Sequence, residues 1–111
     1  MNWLLVIFQL VQLNNKMNTR FNEIYSIVLE MDYSSDNMLD LMSLIDEAIE
    51  IAKKDDSNRR TNHCLNNLIQ TKQKEISRML SKDIPEETRE RYFNDAKNYF
   101  KTDLHIFCMK K

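Results

Sequence analysis

The chain contains no glycine and only one proline, Pro85, in 111 residues. Hairpins and tight strand connections draw on glycine for positive φ, so its absence argues against a β-rich fold. It also removes whole classes of chemistry. Phosphate-cradling loops, dinucleotide-binding fingerprints and nucleophile elbows all need glycine where the backbone turns sharply or approaches a ligand. Histidine is scarce too: His63 and His105 are the two present, and neither stands in a Ser, Cys and acid arrangement that points to nucleophilic catalysis. No cofactor and no enzymatic activity is expected. Two cysteines, Cys64 and Cys108, are too few for a secreted disulfide framework, and no Asn-x-Ser/Thr acceptor site occurs. A reduced, intracellular and cytoplasmic setting is the expectation that follows.

The residues that are present describe a folded helical protein. A share of 42% hydrophobic and 30% charged residues separates the chain from disordered sequences, and its length suits one domain with a modest core. The wealth of Asn, Lys and Ile suggests an AT-rich coding sequence, as in a low-GC microbe or a virus. Residues 38–52 carry two apolar seams at helical spacing. Met38, Met42, Ile45, Ile49 and Ala52 form one, and Leu41, Leu44, Ala48 and Ile51 form the other. A helix packed on one neighbour needs one stripe, so two seams predict a central helix, over about residues 37–54, with neighbours on both flanks.

Around this centre the chain reads as four helices. Met17, Phe21, Ile24, Val28 and Met31 make a 4-3-4-3 stripe that extends back through Leu13, Leu10, Val6 and Trp3. One continuous helix over residues 3–32, roughly 45 Å long, is predicted. The polar residues 33–37 close it, with Ser34, Ser35 or Asp36 as the cap of the next helix. A third helix runs to about Leu80 on a seam of Leu65, Ile69, Lys72, Ile76 and Met79, widened by Leu68 and Leu80. Pro85, Glu86 and Glu87 then give a clear helix start. The fourth helix repeats Tyr92-Phe93, Tyr99-Phe100 and Ile106-Phe107, with Ala96 and Leu104 between, which places six bulky groups on one core face. The connections are short, so the predicted fold is an all-α, small antiparallel four-helix bundle with a long, projecting first helix. The whole chain, residues 1–111, makes one domain, with residues 1–16 as an apolar extension and 17–108 as the bundle.

Candidate interaction residues lie at two places. The stretch from Trp3 to Leu13 is apolar nearly all round, and at about 11 residues it is short of the roughly 20 that cross a membrane. It lacks the basic start of a signal peptide, since the first base is Lys16. Trp3, Leu4, Val6, Ile7, Phe8, Leu10 and Val11 are therefore read as a surface for a protein partner or for self-association into a homo-oligomer. The second place is electrostatic. Residues 33–56 hold seven acids against two bases, and residues 57–82 hold six bases against one acid. The net charge of −1 argues against wholesale nucleic-acid binding. A basic face of Arg59, Arg60, Lys74 and Arg78 nevertheless supplies the alternative reading, a nucleic-acid-binding regulator.

Two further arrangements bear on chemistry and stability. In an antiparallel pairing of the last two helices, His63 and Cys64 would approach His105 and Cys108, a donor set acceptable to zinc. Adjacent residues such as His63 and Cys64 point about 100° apart on a helix and no C-x₂-C spacing occurs, so no metal is expected; zinc and a Cys64–Cys108 disulfide are the alternatives. Lys72 sits in an apolar seam and Asp103 on the aromatic face. Lys72 is expected to pair with a carboxylate, either Asp103 or an acid of the central helix. The reading that combines an apolar surplus with no catalytic constellation is a non-catalytic interaction module: a small adaptor, inhibitor or assembly subunit.

Overall fold

The computed structural model describes residues 19–54 and 59–109, with residues 59–62 described by their backbone alone. Those residues are all-helical, and no strand occurs among them. Helix α1 is described over residues 19–29, and α2 spans Ser35–Lys54. Helix α3 comprises Arg59–Thr71, a π segment Lys72–Ile76 and a last turn Ser77–Met79. Helix α4 comprises Glu86–Thr102 and ends in a second π segment, Asp103–Cys108. The predicted elements are thus present, with α1 ending a few residues before the expected Asp32. The part of the long first helix predicted before residue 19 lies outside the described residues.

Local chemistry explains the boundaries. Ser34 Oγ accepts the backbone N–H of Asn37 at 3.0 Å, which makes it the N-cap of α2, and the Asn37 amide donates back to the Asp32 carbonyl at 2.7 Å. Pro85 stands just before α4 with extended backbone, and its carbonyl accepts the Arg89 N–H at 3.0 Å. In the preceding turn Asp83 takes a positive φ of 62°, a conformation that Asp tolerates better than most residues and that a glycine-free chain must assign to some other side chain. Basic side chains close two helix C-termini. Lys97 donates to the Met31 carbonyl at 2.6 Å beyond α1, and Arg89 donates to the Met79 carbonyl at 2.7 Å at the end of α3.

One core receives residues from every helix. Phe21, Ile24 and Val28 of α1 meet Leu41, Ile45 and Ala48 of α2, Leu68 and Met79 of α3, and Phe93, Phe100 and Leu104 of α4. Both predicted seams of α2 contribute, with Leu41, Ile45, Ala48, Ile49 and Ala52 buried and Met38, Met42, Leu44 and Ile51 packed half-buried on the flanks. Contacts between residues distant in sequence tie the fold together: Arg20 to Glu47, Tyr33 to Glu86, Tyr33 to Phe93, Tyr25 to His105, and Thr71 to Asp103.

The predicted faces of α3 and α4 need correction. On α3 the buried line is Cys64, Leu68, Thr71, Glu75, Ile76 and Met79, while Leu65 and Ile69 are half-buried and Lys72 is exposed. The line is displaced by one residue from the expected seam until the π segment, which holds an extra residue per turn, returns the face to Ile76 and Met79. On α4 the buried residues are Phe93, Ala96, Phe100, Asp103, Leu104 and Cys108. Tyr99 and Ile106 are more than half exposed, so the six bulky groups do not share one face. The second π segment closes this helix, where the Met109 N–H reaches back five residues to the Leu104 carbonyl at 2.9 Å.

Candidate functional site

Helix α3 is flanked by two openings of contrasting chemistry. Toward α4 the spacing of four along each helix builds two facing ladders: Asn67, Thr71 and Glu75 on α3, and Tyr99 and Asp103 on α4. Together with Gln70 and Lys74 they line a polar pocket of about 240 Å³. At its floor the Thr71 hydroxyl donates to Asp103 Oδ2 at 2.5 Å, both residues being buried. Burial pushes the Asp103 carboxyl up to about 6, against the hydrogen bond from Thr71, which favours the ionised form. Glu75 is 5% exposed. It accepts no hydrogen bond from the described residues, and its ion-pair contact there is Arg78 Nη1 at 4.0 Å. Both acids lie in π segments, which occur frequently where a helix has been re-aimed for function.

Toward α2 the opening is apolar. Met42, Ile49, Ile69, Ile76 and Leu80 line a groove of about 400 Å³, with Lys53, Lys72, Gln73 and Ser77 at its edges. Leu80 is exposed, as are Leu39 on α2, Ile27 and Leu29 on α1, and Ile106 on α4. Lys72 spans the groove to Asp46 Oδ1 at 2.5 Å, so the expected pairing with an acid of the central helix is present. Both side chains are about half exposed, however, and the pair is a surface bridge between helices and no part of the core. The buried acids are Glu75 and Asp103, on the opposite side of α3.

The predicted site residues fare differently. Trp3, Leu4, Val6, Ile7, Phe8, Leu10 and Val11 lie outside the described residues, as do the side chains of Arg59 and Arg60. Lys74 is exposed and lines the polar pocket, and Arg78 Nη1 stands 4.0 Å from Glu75. Of the two alternatives raised for these residues, zinc and a disulfide, the structure holds the disulfide. Cys64 and Cys108 are joined in a disulfide with their Cα atoms 4.8 Å apart. Both sulfurs are used by each other, His63 is exposed, and His105 is exposed beside the Tyr25 ring at 6.1 Å between centroids. Among the described residues no group of three or more His, Cys, Asp or Glu could hold a metal ion.

The sequence reading missed Asn67, Thr71, Glu75 and Tyr99. The signal for them was their spacing: Asn67, Thr71 and Glu75 form an i, i+4, i+8 ladder, as do Tyr99 and Asp103 over one step. On sequence alone that ladder looks like a solvated face. Among the described helices, none is long and apolar enough to cross a membrane. No protein-family model, curated protein or solved structure matches the chain.

Proposed function

We propose that the chain is a non-catalytic interaction module, a single-domain antiparallel four-helix bundle that associates with a second copy of itself. The observation that carries this reading is the apolar groove between α2 and α3, lined by Met42, Ile49, Ile69, Ile76 and Leu80. Apolar side chains gathered in one opening stabilise a complex when a partner removes them from water, at about 25 cal/mol per Å². A stable interface buries roughly 1,200–2,000 Å² in total, more than this groove supplies. The apolar residues Trp3, Leu4, Val6, Ile7, Phe8, Leu10 and Val11 are the further surface the proposal calls on. The antiparallel arrangement is supported by contacts whose residue numbers rise on one helix as they fall on the other, as in Cys64 to Cys108, Thr71 to Asp103 and Met79 to Arg89. The disulfide suits an oxidising compartment better than the reducing one suggested by the sparse cysteines.

Light scattering on the full chain, followed over about a hundredfold range of concentration, tests the reading by mass action. The expected result is a mass above the 13.4 kDa of one copy. The double variant Ile69→Lys, Leu80→Glu is expected to return the mass to that of one copy while keeping helical content. A multiple polar replacement of Trp3, Leu4, Val6 and Phe8 tests the terminal stretch separately. A wild-type mass of one copy at every concentration rejects self-association.

A further inference from the structure

We propose that the polar pocket between α3 and α4 is a binding site for the ammonium group of a small aliphatic amine. The inference rests on Glu75, Asp103 and Tyr99, and it is independent of the apolar groove. Glu75 is buried to the same degree as core residues, yet it accepts no hydrogen bond from the described residues. No side-chain polar atom among them is both fully buried and without a partner, so the Glu75 oxygens meet solvent through the pocket they line. A carboxylate held this way has lost most of its hydration and has received one distant cation, Arg78 at 4.0 Å, in return. A ligand cation would supply what is missing.

The rest of the lining fits that cation and disfavours others. Asp103 uses Oδ2 for the Thr71 hydroxyl and keeps Oδ1 as a second acceptor. Asn67 and Gln70 add amide oxygens, which gives three N–H donors of an ammonium group more than enough acceptors. Tyr99, 54% exposed at the rim, offers a ring against which the charge or its aliphatic stem can rest. An anion would meet two carboxylates. A metal ion would find two acids where a third strong ligand is wanted, in keeping with the absence of a metal-holding cluster among the described residues. The volume of about 240 Å³ suits a ligand of a few heavy atoms. Lys74 is exposed at the edge and pairs with neither acid, and its charge beside the pocket would oppose an incoming cation and repel the second ammonium of a diamine, which favours monoamines.

The test is a titration of the isotope-labelled full chain with butylammonium chloride, read by amide chemical shifts, with butan-1-ol and matched sodium chloride as controls. Saturable shifts are expected at residues 67–75 and 99–103 with a Kd on the order of 1 mM, and neither control should reproduce them. Glu75→Gln keeps the shape of the side chain and should weaken binding about tenfold. Lys74→Gln removes the opposing charge at an exposed position and should tighten binding, which keeps the test decisive if the Glu75 variant folds poorly. Shifts that fail to saturate, that butan-1-ol reproduces, or that Lys74→Gln leaves unchanged or weakened would overturn the proposal.

Discussion

The α1–α2 half and the α3–α4 half of this molecule are held by different means. Between α1 and α2, apolar side chains meet in a regular helical pattern, and the cross-helix polar contact is at the surface. Arg20 grips Glu47 through Nε and Nη2, the latter at 2.7 Å, and reaches Glu23 at 2.9 Å. Between α3 and α4 there is a disulfide, a buried hydroxyl–carboxyl hydrogen bond and a π segment on each helix. A π turn loses favourable backbone geometry, and a buried acid loses hydration. The first half therefore reads as scaffold. The second reads as the half where stability has been given up to place particular side chains, with the covalent link offsetting the loss.

The comparison is broken most severely through the disulfide. Cys64 and Cys108 are 44 residues apart, and closing a loop of that size stabilises by about 4 kcal/mol in the chain-entropy account. Urea unfolding with and without reductant should show a loss approaching that figure, greatest in probes of α3 and α4. Next in size, Leu68→Ala should cost about 2–5 kcal/mol because Leu68 is fully buried. Its neighbour Ile69, half-buried in the groove, should cost about 1 kcal/mol when replaced by Ala, since much of its side chain already meets water. A reversed order in denaturant midpoints would place the core on the seam first expected from the sequence. The smallest effect belongs to the first half. Removing the Arg20–Glu47 pair should cost about 0.2–1 kcal/mol, less at high salt, because both side chains are more than a third exposed.

Much of the architecture was legible in the sequence because it depends on period and punctuation. The absence of glycine, the two seams of residues 38–52 and the Pro85-Glu86-Glu87 start all pointed to helices that are present. The faces of α3 and α4 were less legible for a definite reason. Extrapolating a 3.6-residue period through Lys72 and Ile106 assumes unbroken α-helix, and each lies within a π segment. On α3 the buried line already runs through Cys64, Leu68 and Thr71, which leaves Lys72 outward and Glu75 inward, and the π segment then shifts it by one residue to Ile76 and Met79. Asp103 was marked by its place on the aromatic face, whereas Thr71 carried no signal, because its value depends on a partner 32 residues away. The disulfide was among the options weighed from the sequence, and only proximity in space separates it from two unrelated thiols.

The sharpest contrast between the halves is in the sign of their response to pH. The Arg20 guanidinium holds the Glu47 carboxyl below its usual range, so that pair contributes stability above the ordinary carboxylate range and loses it as pH falls. Asp103 behaves oppositely. Burial raises its pKa to about 6 from 3.8, so the folded state binds the proton more tightly than the unfolded chain does. The resulting stability is fully present below the unfolded value and is lost as pH rises through about 6.

Unfolding of wild type and Asp103→Asn at about pH 4 and pH 7 isolates this group, because the other carboxyls cancel in the difference. Relative to the variant, the wild type should lose about 2 kcal/mol between the two pH values, leaving Asp103→Asn at least as stable near neutrality. A stability difference that does not change with pH would contradict the claim that the α3–α4 seam keeps a buried acid at the expense of stability.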